Sequence, residues 1–237
     1  FVSHINYKKR LIQIGENKKD IHVVGAMGIE SLKKLKLLSK RELEKKLGFK
    51  FAKRNLMITF HPETSGNSKI IYAINNLFKF LDNFKDIKII FTYPNSDIGS
   101  GEIKKLIYNY VSKNHDRAVV FNSLGQIKYL STLKFVDGLL GNSSSGVIEA
   151  PSLKKGSINI GNRQNGRIQA KSVINSSYSY SAIAEAVNKL YSKPFTKGIN
   201  KIINPLNKGS ASKKCFHIIK NTNLSKIKNK SFFNIIF

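Results

Sequence analysis

From Leu56 onward, short apolar runs alternate with amphipathic stretches in a regular beat, and this constrains the fold more than any other feature of the chain. Residues 56–60, 87–91, 118–121, 136–140 and 157–161 read as buried strands. Residues 68–84, 101–111, 126–133 and 181–191 read as helices with one apolar face, in the first case Ile70, Ile74, Leu77, Leu81 and Phe84. Strands alternating with helices of about ten residues or more imply a mostly parallel sheet with helices on both faces, a Rossmann-like α/β fold. The flanks are less regular. Residues 5–15 predict a helix with Tyr7, Leu11 and Ile14 inward and Gly15 as its stop. Residues 22–25 predict a strand entering a turn of small residues, and 29–53 a basic helical region. Beyond residue 203 come a turn-rich segment, a helix over 212–221, and a tail over 226–237 that either docks or frays.

In such sheets, ligands bind beyond the carboxyl ends of the strands. That rule gathers three loops on one edge: His61 after the first strand of the beat, Asn142 to Ser145 after the fourth, and Gly161-Asn162-Arg163-Gln164-Asn165-Gly166-Arg167 after the fifth. The string Gly141-Asn142-Ser143-Ser144-Ser145-Gly146-Val147-Ile148-Glu149-Ala150-Pro151 ends a strand in small residues and opens a helix. Backbone N–H groups and hydroxyls at such a junction suit an anion, above all a phosphate. Glu149, one turn on, can reach a ribose diol. An ordinary serine-rich helix cap would look the same. Arg163 and Arg167 read either as exposed loop cations or as bidentate partners of a diphosphate. His61 reads either as a cap of its strand or as a donor to a phosphate, helping it leave.

Charge and composition narrow the classes. The chain of 237 residues carries 41 Lys plus Arg against 14 Asp plus Glu, a net charge of +27. That balance suits anionic partners, but scattered lysines on a solvated surface are the commoner account of it. With no arginine-rich block and no nucleic-acid module signature, no nucleic-acid partner is expected. The single Cys215 excludes a disulfide framework, and the five histidines show neither HExxH nor paired ligand spacing, so no metal and no cofactor is expected. No apolar run approaches about 18 residues, so no membrane span is expected. There is no GxGxxG after a strand and no P-loop. The chain begins Phe1-Val2-Ser3-His4 with neither an initiator Met nor a signal peptide, and reads as the remainder of a longer, cytoplasmic protein.

Several pieces together resemble a known family. They are Phe1-Val2-Ser3 with Tyr7 and Lys8; Val24-Gly25-Ala26 with Gly28; Thr59-Phe60-His61-Pro62; Ser123-Leu124-Gly125 with Tyr129-Leu130; Gly141 to Pro151; the loop 161–167; and Asn204-Pro205 with Gly209 and Ala211. The set is similar to the carboxyl-terminal part of the UDP-N-acetylglucosamine 2-epimerases, of the hydrolysing kind that serves sialic-acid and legionaminic-acid synthesis. The resemblance implies the second domain of a glycosyltransferase-B-like two-domain fold, with the active site in the cleft between domains. It implies domains over 1–20 (the end of a truncated first domain), 21–195 (nucleotide-binding) and 196–237 (a segment packing back).

By the same resemblance, His61 lies at the nucleotide and is the candidate catalytic residue. Tyr129 lies against the uracil, and Ser143, Ser144, Ser145 and Gly146 form the phosphate turn. Glu149 holds the ribose, and Arg163 and Arg167 lie near the nucleotide. The substrate is a UDP-sugar and the full-length protein a homo-oligomer. The reaction is elimination of UDP to a glycal, then hydration to the free C2-inverted sugar, with the base in the first domain. The sugar is N-acetylglucosamine or diacetylbacillosamine. A non-hydrolysing 2-epimerase and a glycosyltransferase donor domain remain as alternatives. The non-hydrolysing members carry an Asp-Ser-Gly-Gly turn with two consecutive glutamates, whereas Ile148-Glu149 keeps only the second.

Overall fold

A computed structural model describes residues 1–63, 67–223, 225, 233 and 234. Six parallel strands form its sheet: β1 (Arg54–Thr59), β2 (Ile87–Thr92), β3 (Ala118–Phe121), β4 (Gly138–Gly141), β5 (Gly156–Ile160) and β6 (Val173–Ser176). Their order across the sheet is β3-β2-β1-β4-β5-β6. The chain winds outward from β1 in one direction, then returns to β4 and winds outward in the other. The switch point therefore lies between β1 and β4, whose last aligned residues are Thr59 and Gly141.

The helices take sides according to the strand alternation. Leu56, Ile58 and Phe60 point to one face, with Ile89, Phe91 and Leu140, and pack under α4 (Ser68–Asp82), α5 (Ser100–Lys113) and α8 (Tyr180–Tyr191). Met57, Ile90 and Leu139 point to the other, under α3 (Lys40–Leu47) and α6 (Gly125–Phe135). Both faces of each central strand are covered, which is why these strands read as continuous apolar runs.

The chain forms two compact units, residues 35–203 and residues 1–34 with 204–237. The first holds the sheet. The second holds α1 (Ile5–Gln13), α2 (Met27–Lys34) and α10 (Ala211–Asn221). In it the Ala26 N–H donates to Leu206 O at 3.0 Å, and the Ser212 N–H and hydroxyl donate to the two Glu30 carboxylate oxygens at 2.7 Å each. Residues 21–34 thus belong to one unit with the 204–212 segment, to which they are hydrogen-bonded.

Several local expectations are corrected. Residues 29–53 are not one helical region. Ser39 accepts from the Glu42 N–H while the Glu42 carboxylate accepts from the Ser39 N–H, and this capping box starts α3 afresh after a break. Residues 22–25 form only an isolated bridge, Val2 to Val23. The helix that the serine string was expected to open is a single α turn, α7 (Ser145–Ile148), followed by a 3-10 turn over Ala150–Leu153 with Pro151 in its first positions. The strand β6 and the short α9 (Lys193–Gly198) were not expected. The tail over 226–237 lies outside the described residues, apart from 233 and 234.

Candidate functional site

The site is built at the switch point, where β1 and β4 deliver their next residues side by side. Gly141 makes this closeness feasible. Its φ is +124°, and a Cβ there would overlap the Thr59 carbonyl oxygen, so no other residue fits without parting the strands. One residue on, Asn142 is fully buried and tied to the opposite chain. Its Oδ1 accepts from the His61 N–H at 2.7 Å, and its Nδ2 donates to the His61 carbonyl at 2.9 Å. The loop after β5 joins from the other side, with Arg163 Nη1 donating to Asn142 O at 3.2 Å and Gln164 Nε2 donating to the same oxygen at 2.8 Å. The three loops expected on this edge therefore meet at one residue.

His61 is buried, and its Nδ1 accepts from the Asn95 N–H at 3.4 Å. That bond leaves Nε2 to carry the proton in the neutral ring. Burial pushes its pKa down, the nearby Arg163 guanidinium pushes it further, and Asp97 opposes. A histidine held neutral beside an arginine is poised to gain a proton when an anion arrives.

The serine turn follows. The Gly146 and Val147 N–H groups are consumed within the turn by Ser143 O and Ser144 O, and the Ser145 N–H lies 3.3 Å from Ser143 Oγ. The N–H groups of Ser143 and Ser144 have no partner among the described residues. The Ser145 hydroxyl is buried, with the Tyr129 hydroxyl and the Glu149 carboxylate among its polar neighbours but neither at full hydrogen-bond geometry. Tyr129, one turn into α6 and half-buried, has its hydroxyl near Ser145, Ser143 and Thr59. Burial raises its pKa, the adjacent Ser145 hydroxyl lowers it, and the Glu149 carboxylate raises it again. Glu149 is half-buried beside Ser145. Burial raises its carboxyl above the ordinary range, against a smaller pull from that hydroxyl. Gly146 plays a packing part: its carbonyl accepts from Ser157 Oγ at 2.6 Å, and a Cβ would press on the Ser157 side chain at 3.3 Å.

The structure thus brings together His61, Tyr129, Ser143, Ser144, Ser145, Glu149 and Arg163. It does not tie in Arg167, which is exposed and whose backbone N–H bonds Gln164 O at 3.2 Å. Sequence reasoning missed three contributors. Gln164 is buried to 1 % exposure with its Oε1 unpartnered. Tyr178 sits over Gly161, donates to Glu63 Oε2 at 3.2 Å and accepts from the Asn162 N–H at 3.2 Å, while Asn95 orients His61. None carries a periodic signal; only the crowding of polar residues after each strand marks them. Among the described residues, no group of three or more His, Cys, Asp or Glu could hold a metal ion.

A 3-2-1-4-5-6 parallel sheet with polar loops converging at its switch point defines a doubly wound α/β domain of the kind that binds ligands there. Comparison with known proteins gives the family. The model of the UDP-N-acetylglucosamine 2-epimerase family matches residues 1–220, and the chain belongs to that family. It is 38% identical to the "GDP/UDP-N,N'-diacetylbacillosamine 2-epimerase (hydrolyzing)" of Campylobacter jejuni, over 99% of this chain and 61% of that protein. It is 36% identical to the "Polysialic acid biosynthesis protein P7" of Escherichia coli, over 97% of this chain and 58% of that protein. In fold it is similar to S. aureus MnaA, solved with UDP, at a TM-score of 0.75 and 17% identity, over 99% of this chain and 61% of that one. The chain spans about three fifths of the length of the curated relatives it matches. No helix among the described residues is long and apolar enough to cross a membrane.

Proposed function

We propose that this chain is the UDP-binding half of a hydrolysing 2-epimerase acting on a UDP-linked 2-acetamido sugar. In that reaction a base removes the C2 proton while the bond from C1 to the UDP oxygen breaks, giving a glycal and UDP. Water then adds across the double bond, its hydroxyl to C1 and a proton to the opposite face of C2, giving the free C2-inverted sugar. The residues described here bind and stabilise the departing UDP. The Ser143 and Ser144 N–H groups, the Ser145 hydroxyl, Arg163 and His61 face the diphosphate, whose charge grows as the bond breaks. Glu149 accepts from the ribose hydroxyls, Tyr129 lies along the uridine, and Arg167 closes over the nucleotide from the loop. The same reading puts the protein in the cytoplasm as a homo-oligomer.

The observation that carries this reading is the convergence at Asn142 of three loops whose unspent donors are a pair of N–H groups, a hydroxyl, a histidine and an arginine. The names of the Campylobacter and Escherichia relatives support the hydrolysing outcome and a sialic-acid-like product. The test is calorimetric titration of the chain with UDP and with uridine, and with pyrophosphate as competitor. UDP should bind more tightly than uridine, and pyrophosphate should displace it. Equal affinity for UDP and uridine would reduce the serine turn to a helix cap.

A further inference from the structure

The ladder between β1 and β4 ends at Thr59 and Gly141. The His61 N–H and C=O would be the next rung, and no backbone group of β4 reaches them. The Asn142 side chain supplies that rung instead, as acceptor at 2.7 Å and donor at 2.9 Å to the same residue. Its own N–H donates to Thr59 O at 3.2 Å. Its carbonyl then takes both Arg163 and Gln164. With 0 % exposure it has no surface left for a ligand. A carboxylate of the same shape can accept but not donate, and a glutamine is one methylene too long for the gap. The requirement is for a neutral amide of this length.

We infer that Asn142 is the positioning residue of the site, fixing His61, the serine turn and Arg163 as one rigid unit, with Gln164 as its brace. It touches no ligand; it sets the distances among groups that do. The inference rests on the UDP-binding reading for its ligand, but the clamp itself belongs to the free protein. Glu149 stands one turn beyond the clamped residues, its N–H bonded to Ser145 O at 3.0 Å, farther along the chain from Asn142 than the Ser143 and Ser144 N–H groups. Loosening the clamp should therefore weaken the phosphate end of the site more than the nucleoside end.

Two variants test this. Asn142→Asp keeps the shape and loses the donor to His61. Gln164→Met keeps the volume, loses the brace, and at the same time removes a buried acceptor that has no partner, so its stability should hardly change. In calorimetry, UDP affinity should fall about tenfold in Asn142→Asp and about threefold in Gln164→Met, while uridine affinity stays within about twofold. In ¹⁵N spectra of the free protein, the His61 ring should leave its Nε2–H tautomer for a mixed population in Asn142→Asp. A parallel loss of UDP and uridine affinity, or no loss of either, would make Asn142 a packing residue only. If the parent chain does not favour UDP over uridine, the phosphate reading falls by itself, and the His61 tautomer decides on Asn142: an unchanged tautomer in a folded variant overturns the inference.

Discussion

Burial holds the Glu149 carboxyl above its ordinary range in the free protein. A carboxylate whose folded pKa is raised stabilises the fold fully below its unfolded value, and that contribution is lost as pH rises through the folded one. At neutral pH the charge is therefore a burden on the fold, kept for a ligand. Glu149→Gln should leave the free protein as stable or more stable at pH 7 in urea unfolding. It should weaken UDP by about 1.5–3 kcal/mol through loss of a charge-assisted bond. Lower stability together with unchanged UDP affinity would take Glu149 out of the site. His61 runs the other way. Its folded pKa is depressed, first by burial and then by Arg163. Stability from its neutral ring is thus present above about pH 6.5, the unfolded value, and fades as pH falls toward the folded one. A diphosphate would raise that pKa, so UDP binding should take up a proton and tighten as pH is lowered from about 8 to about 6.5. Calorimetry in two buffers of different ionisation enthalpy reads the uptake; zero uptake would leave His61 a strand cap. The residue types at these positions were legible in the sequence because each follows a strand and is polar. Gln164 was not, because nothing local distinguishes a buried glutamine from the exposed arginines beside it. Tyr129 was placed by resemblance alone, and only the structure shows its hydroxyl turned toward the serines.

At the scale of elements, the central strands declared themselves because each is an unbroken apolar run covered on both faces. Edge strand β6 did not, since only Ile174 of its four residues is buried and the rest are polar or half-exposed. The break between α2 and α3 was also hidden: lysines and leucines continue through it, and only the Ser39–Glu42 pair marks the new start. The junction of β1 and β4 carries the sharpest element-level expectation. Gly141→Ala must adopt a φ near +124° and push against the Thr59 carbonyl, whereas Gly125→Ala at the start of α6 meets only its φ of +61°, with nothing within 4 Å of the new Cβ. Left-handed strain alone costs about 1–2 kcal/mol. Gly125→Ala should therefore lose about that much in urea unfolding, and Gly141→Ala clearly more, together with its UDP affinity. Equal losses would mean that the closeness of the two strands is not what the glycine serves.

For the molecule as a whole, the chemistry assigned above needs a base at sugar C2, and the proposed reading places that base outside the matched residues. Glu149 is assigned to the ribose, Glu63 Oε2 is engaged by the Tyr178 hydroxyl, and Asp97 lies beside His61. The other Glu63 oxygen, Oε1, is buried without a hydrogen-bond partner. The chain spans about three fifths of its curated relatives, so the relatives contain residues that this one does not match. We therefore predict that the 237-residue chain binds UDP but does not act on a UDP-2-acetamido sugar, and that joining it to the unmatched part of the Campylobacter relative yields activity. The reaction is run in deuterated water and followed by proton NMR. Elimination removes the C2 proton to solvent and hydration returns a deuteron, so the expected product is a free manno-configured sugar with deuterium at C2 and an equal amount of UDP. Since water rather than UDP adds to the glycal, the UDP-sugar should not re-form when UDP is supplied in excess. A UDP-linked epimer without free sugar would make the protein a reversible epimerase. Turnover by the 237-residue chain alone would move the base onto Glu63, Asp97 or Glu149, and single substitutions to glutamine or asparagine would then show which of them carries it.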